Sequence, residues 1–255
     1  MIDVHLEPVL LGFKILLHSV RLILRNWRVA LRFSSPLVLL LVLSPIVFGV
    51  DYLQQTDSDA LGNTSGASST IEGLLQFLAG LWVAVAWHRY VLVEEDSGAL
   101  IPPLNAARIV AYVTQGLKIF LLLLCGGILT AILLAVLGSS SAGESASALI
   151  VISVIVGAFW VFYRLSPVLP AAALDTQASI RGAWNVTRSL SGAILVMVLL
   201  LGVLSFVLVV VIEPIQYISG PIYLALSSIQ IWFTVMVGVS ILTTIYGVTV
   251  ENRAL

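Results

Sequence analysis

Six long blocks of apolar residues run through the chain, at 36–52, 71–93, 109–137, 148–170, 192–212 and 221–250. A hydrocarbon core about 30 Å thick takes roughly 20 apolar residues in a helix to cross. The blocks therefore predict an all-α polytopic bundle of six transmembrane helices, occupying residues 34–255. The first block is short and interrupted by Pro45. The last is longer than one crossing needs, so it is expected to tilt or to extend into the interface. Polar connectors separate the blocks. Residues 54–70 are rich in Ser, Thr, Asp and Gly and read as an exposed loop, with a shorter version at 138–147. Residues 94–108 hold Glu94-Glu95-Asp96 and Pro102-Pro103, residues 175–191 are the most structured connector, and 213–220 read as a tight turn.

The segment 1–33 follows another pattern. Lys14, Arg21, Arg25, Arg28 and Arg32 are spaced 7, 4, 3 and 4 apart. On a continuous helix they fall within a stripe ~60° wide, with His18 beside it and Leu, Ile, Val, Phe13 and Trp27 around the rest. This predicts an amphipathic helix lying in the interface plane, its apolar face in the acyl boundary and its cations toward phosphates. It would fix topology, or sense anionic lipid, since a juxtamembrane cation contributes about 1 kcal/mol near an anionic surface. The acidic start at Asp3 and Glu7 does not fit a secretory signal.

Composition sharpens the class. Of 255 residues 60% are hydrophobic and 10% charged, and the mean hydropathy is +1.10. Soluble domains carry about 25% charged residues, so a soluble enzyme, a disordered chain and a disulfide-stapled module are excluded. A net charge of −1 gives no basic field for nucleic acid. The single cysteine, Cys125, predicts neither a disulfide framework nor a thiolate metal site. With six spans, all 12 Lys and Arg fall on the side holding both chain ends, while the other side holds only Asp51, Asp57, Asp59, Glu72, Glu144 and Glu213. The positive-inside rule then makes both termini cytoplasmic.

Ionisable residues at membrane depth are the default functional candidates. His88 and Arg89 close the second block, Lys118 lies in the third, and Arg164 in the fourth just before Ser166-Pro167-Val168-Leu169-Pro170. Two prolines three apart remove backbone donors and disfavour helix before each. A break is therefore expected there, with Arg164 above it, either snorkelling to phosphates or lining a hydrated pocket for an anion or lipid headgroup. The connector 175–191 predicts a short interfacial helix capped by Asp175 or Thr176, with Arg181 and Arg188 on one side and Trp184 near them. Arg89 and Arg164, 75 residues apart in similar surroundings, hint at a parallel repeat.

The run Arg164-Leu165-Ser166-Pro167-Val168-Leu169-Pro170-Ala171-Ala172-Ala173-Leu174-Asp175, followed by Ser179-Ile180-Arg181-Gly182-Ala183-Trp184-Asn185-Val186-Thr187-Arg188, resembles a signature of bacterial six-helix inner-membrane proteins. It is similar to the membrane domain attached to some glycerophosphoryl diester phosphodiesterases. The resemblance implies a membrane domain of the bacterial inner membrane. No connector is long enough to hold the phosphodiesterase domain, so hydrolysis does not carry over.

Nothing else argues for an enzyme. His5, His18 and His88 share no ligand spacing, and neither a phosphate loop nor a nucleophile elbow is present. Glu94-Glu95-Asp96 reads as a solvated acidic run. No cofactor, metal or catalytic residue is expected. The expected function is a non-enzymatic inner-membrane protein that meets anionic phospholipid through Arg164, Arg181, Trp184, Arg188, Arg89 and His88, or that supports a membrane complex. The alternative is a small transporter with an anion or headgroup pocket at the broken fourth helix.

Overall fold

The computed structural model describes residues 6–47, 63–137 and 143–255. It is 84% helix, with no strand among the described residues. The chain divides into two compact units. One gathers Met1–Val20, Ala106–Val203 and Ile241–Leu255; the other gathers Arg21–Asn105 and Leu204–Ser240.

In the first unit, α1 (Leu6–Arg25) meets α9 (Ser191–Ile212) at very short range. A Cβ on Gly12 would sit 2.6 Å from the Ala193 carbonyl oxygen and 2.9 Å from Val196 Cβ. Gly192 returns the relation, its own Cβ position lying 3.4 Å from Pro8 Cβ. Small residues let helix backbones approach in this way. Ser19 closes the same row, within 3.0 Å of the Thr244 hydroxyl on α10 (Gly220–Thr249). α5 (Ala106–Leu137) packs on α6 (Gly143–Leu165) and on the short α7 (Val168–Ala173).

The expected break of the fourth block is present, and its chemistry follows from the prolines. Pro167 has no N–H for the Tyr163 carbonyl, and Ser166 Oγ donates to that oxygen instead at 2.8 Å. Pro170 likewise leaves the Ser166 carbonyl, which Leu169 N takes at 2.9 Å. α7 then closes in a Schellman motif. Thr176 N donates to Ala171 O at 2.9 Å, and Asp175 occupies the left-handed position at φ 59. Asp175 thus belongs to the C-terminal capping turn of one helix and is not the cap of the next. α8 (Ile180–Val186) is capped by Ser179, whose side chain accepts from Gly182 N at 3.0 Å; this corrects the expected Asp175 or Thr176 cap.

In the second unit, Asn26 ends α1. Its Nδ2 donates to the Leu22 carbonyl at 2.9 Å and its Oδ1 accepts from Tyr90. Asn side chains compete for backbone partners in this way, so the amphipathic segment expected over 1–33 is two helices, α1 and α2 (Trp27–Phe33). α2 bends by 66° into α3 (Ser35–Val47). The bend sits at Ser34, whose Oγ donates to Ala30 O at 2.6 Å just before Pro36. α4 (Asn63–Val93) packs on both. The later part of α9, a 3-10 turn at Glu213–Tyr217 and the first part of α10 complete the unit.

Four described helical stretches are long and apolar enough to cross a membrane: Thr70–Val93, Ala106–Ile132, Ser191–Tyr217 and Gly220–Thr249. The bent pair Trp27–Phe33 and Ser35–Pro45 raises the number to five if it is one span. The fourth expected block supplies a shorter apolar helix, Leu149–Leu165, because the prolines stop it before residue 170. Residues 48–52 of the first expected span, and most of the loop expected at 54–70, lie outside the described residues.

Candidate functional site

α1 carries three faces, where the sequence pattern predicts two. Gly12, Ile15, Ser19 and Ile23 form a buried row, with Ile15 and Ser19 at 0% exposure. Lys14, Arg21 and Arg25 form an exposed cationic row. Between them, on the other side, Val9, Leu10, Phe13 and Leu24 are exposed apolar residues. Such a helix is held by protein along one side and offers a cation row and an apolar row side by side. α2 continues the theme with exposed Arg28, whose guanidinium carbon lies 5.4 Å from the ring centroid of exposed Trp27. A Trp–Arg pair of this kind suits a headgroup layer.

Arg32 leaves the stripe. Its Nη2 forms an ion pair with Asp96 at 2.5 Å, and it belongs to the helix beyond the Asn26 break. The acidic run is therefore not simply solvated. Asp96 is held by Arg32, and Glu95 accepts from Arg89 Nε at 2.7 Å. No cluster of three metal-ligating side chains occurs among the described residues. The Arg32 hydrogen bond, helped by the Gly98 N–H, holds the Asp96 carboxyl below its ordinary value of 3.8. A depressed folded-state pKa contributes stability above the unfolded value and loses it as pH falls through the folded one. The 94–105 connector is therefore expected to loosen below about pH 4, read as a lower protection factor of the Gly98 amide, its exchange taken relative to the intrinsic rate at the same pH. Asp96→Asn should show low protection at every pH; a variant whose protection falls with pH as the wild type's does would refute the assignment.

Arg164 sits inside, only 4% exposed. Its Nη2 donates to the Trp184 carbonyl at 2.7 Å and its Nε to Thr187 Oγ1 at 3.4 Å. The guanidinium lies 3.6 Å from the Trp184 ring centroid and 5.3 Å from that of Trp160. The two indoles meet edge to face at 5.8 Å, and Trp160 Nε1 donates to Ser191 O at 2.9 Å. Arg164 thus pins the last turn of α8 to α6, where the helix dipole favours a cation. Snorkelling to phosphates is not what the structure shows for it.

Other expected residues are scattered. His88 is fully buried. Arg89 is half-buried against Glu95, so its surroundings do not match those of Arg164 and the repeat finds no support there. Arg181 and Arg188 are exposed, but Arg188 follows the end of α8, so the two do not share a helix face. Lys118 is exposed, with Nζ 3.3 Å from Gln115 Oε1. Sequence reasoning missed Gly12, though Gly12 and Ser19, small residues seven apart, were the available signal.

The apolar helices define a multi-pass membrane protein. No family model, curated protein or solved structure matches the chain.

Proposed function

We propose that the protein is a non-enzymatic, six-span protein of a bacterial inner membrane that binds anionic phospholipid on the face bearing its cations. The six spans are the four long helices, the bent α2–α3 pair and α6; both termini lie on the cytoplasmic side. The kinship with the membrane domains attached to glycerophosphoryl diester phosphodiesterases belongs to the same proposal. One observation carries the lipid reading: Lys14, Arg21, Arg25 and Arg28 are exposed beside exposed Leu10, Phe13, Leu24 and Trp27. Cations over an apolar row match a headgroup above its acyl chains. The transporter reading has less support, because Arg164 turns Nε and Nη2 to Thr187 and Trp184 of its own chain.

The test is competition between phosphatidylglycerol and phosphatidylcholine for protein in mixed nanodiscs, followed by the composition of the retained lipid. Enrichment in phosphatidylglycerol is expected at low salt, weakening as salt rises. It should largely vanish when Lys14, Arg21, Arg25 and Arg28 are all changed to Gln. Enrichment indifferent to both changes would refute the reading.

A further inference from the structure

The second unit contains a groove of about 510 Å³ between α3 and the first part of α10. Leu31, Val38, Leu41, Pro45, Leu224 and Trp232 are among its lining residues, and Ser228 is its polar exception. That size and that apolar lining lie within the range of small-molecule sites. Its direction can be read from one bond. Trp232 Nε1 donates to Ser34 Oγ at 2.6 Å, which sets Trp232 beside the start of α3. Leu224, eight residues earlier on α10 and roughly 12 Å along the axis, lines the same groove, as does Pro45 on α3. The groove therefore starts at Leu31 and runs about the depth of one leaflet's hydrocarbon, roughly 15 Å. Arg28 lies one turn before Leu31 on the same side of α2 and is exposed.

We infer that this groove holds one acyl chain of an anionic diacyl phospholipid, its phosphate at Arg28. The inference rests on the lipid-binding reading above and names the seat of one particular lipid. Charge decides the occupant: a cation at one end of an apolar slot a leaflet deep complements an anionic head on a long tail. An apolar face of a second copy would leave that cation facing apolar surface.

Native mass spectrometry of the whole protein from mild detergent, loaded with phosphatidylglycerol and phosphatidylcholine, tests this. The wild type should keep one phosphatidylglycerol per protein. Ser228→Trp and, independently, Ala225→Trp should lower that occupancy at least tenfold. Arg28→Gln should lower the preference for phosphatidylglycerol about fivefold, the worth of one cation near an anionic surface. Val207→Trp, on the exposed face of α9, should change nothing. Helix content and size-exclusion profile exclude misfolding as the cause. If every variant keeps phosphatidylglycerol like the wild type, the groove assignment is overturned and the broader reading survives. If the wild type keeps none, both fall. A dimeric mass lost in the tryptophan variants would make the occupant a second copy and overturn the inference.

Discussion

Gly12→Leu is expected to detach α1 from α9 and to abolish the cooperative unfolding of the first unit. The atom nearest a Cβ at this position is the Ala193 backbone oxygen, at 2.6 Å. A backbone oxygen in a helix cannot rotate away, so the two helices must separate. Even Gly12→Ala should cost about 1–3 kcal/mol, the usual price of overpacking. Leucine adds three more carbons and takes the fully buried Ile15 and the Ser19–Thr244 contact out of register with it. Val196→Ala should not rescue, because Val196 is only the second neighbour. Thermal unfolding in detergent and limited proteolysis near Asn26 measure the effect. A Gly12→Leu protein with the wild-type midpoint and an uncut N-terminal helix would refute the close packing.

Arg164→Ala should be the most costly of the arginine substitutions. A hydrogen bond from a charged donor contributes about 1.5–3 kcal/mol, and a desolvated cation–π contact about 2 kcal/mol. Arg164 makes both with Trp184, so a loss of about 4 kcal/mol is expected. The loss should appear as a lower denaturation midpoint and a weakened near-ultraviolet signal from the Trp160–Trp184 pair. Arg164→Met keeps the length of the side chain against both indoles and should recover a good part. Replacing a buried charge by an apolar side chain of similar volume is far milder than truncating it. Arg181→Ala and Arg188→Ala, at exposed positions, should each fall within about 0.5 kcal/mol of the wild type. Equal midpoints for Arg164→Ala and Arg188→Ala would contradict the assignment.

The helices were legible because bilayer crossing leaves a long apolar record: the third, fifth and sixth blocks return as helices with nearly the same ends, while the second returns as the later part of a helix that already begins at Asn63, within the expected loop. The Pro167–Pro170 break was legible because a missing N–H is written in the residue type. Tertiary partners were not. Periodicity places Lys14 and Arg32 on one stripe, but Asn26 spends its side chain on Leu22 O and Tyr90, and the helix stops. Arg164 reads as a headgroup ligand when only its depth is known. Its burial depends on α8 returning Trp184 and Thr187 to it, some 20 residues further along the chain. The same applies to the acidic run, whose two later members find arginines 64 and 6 residues away.

On the proposed function, anionic lipid is met by the exposed cations of α1 and α2 and not by Arg164. The most direct measurement is the retained-lipid spectrum of three proteins side by side in mild detergent. These are the wild type, Arg164→Met, and the variant with Lys14, Arg21, Arg25 and Arg28 changed to Gln. Arg164→Met is expected to keep phosphatidylglycerol like the wild type while the fourfold variant loses it. Loss in Arg164→Met with retention in the fourfold variant would contradict it.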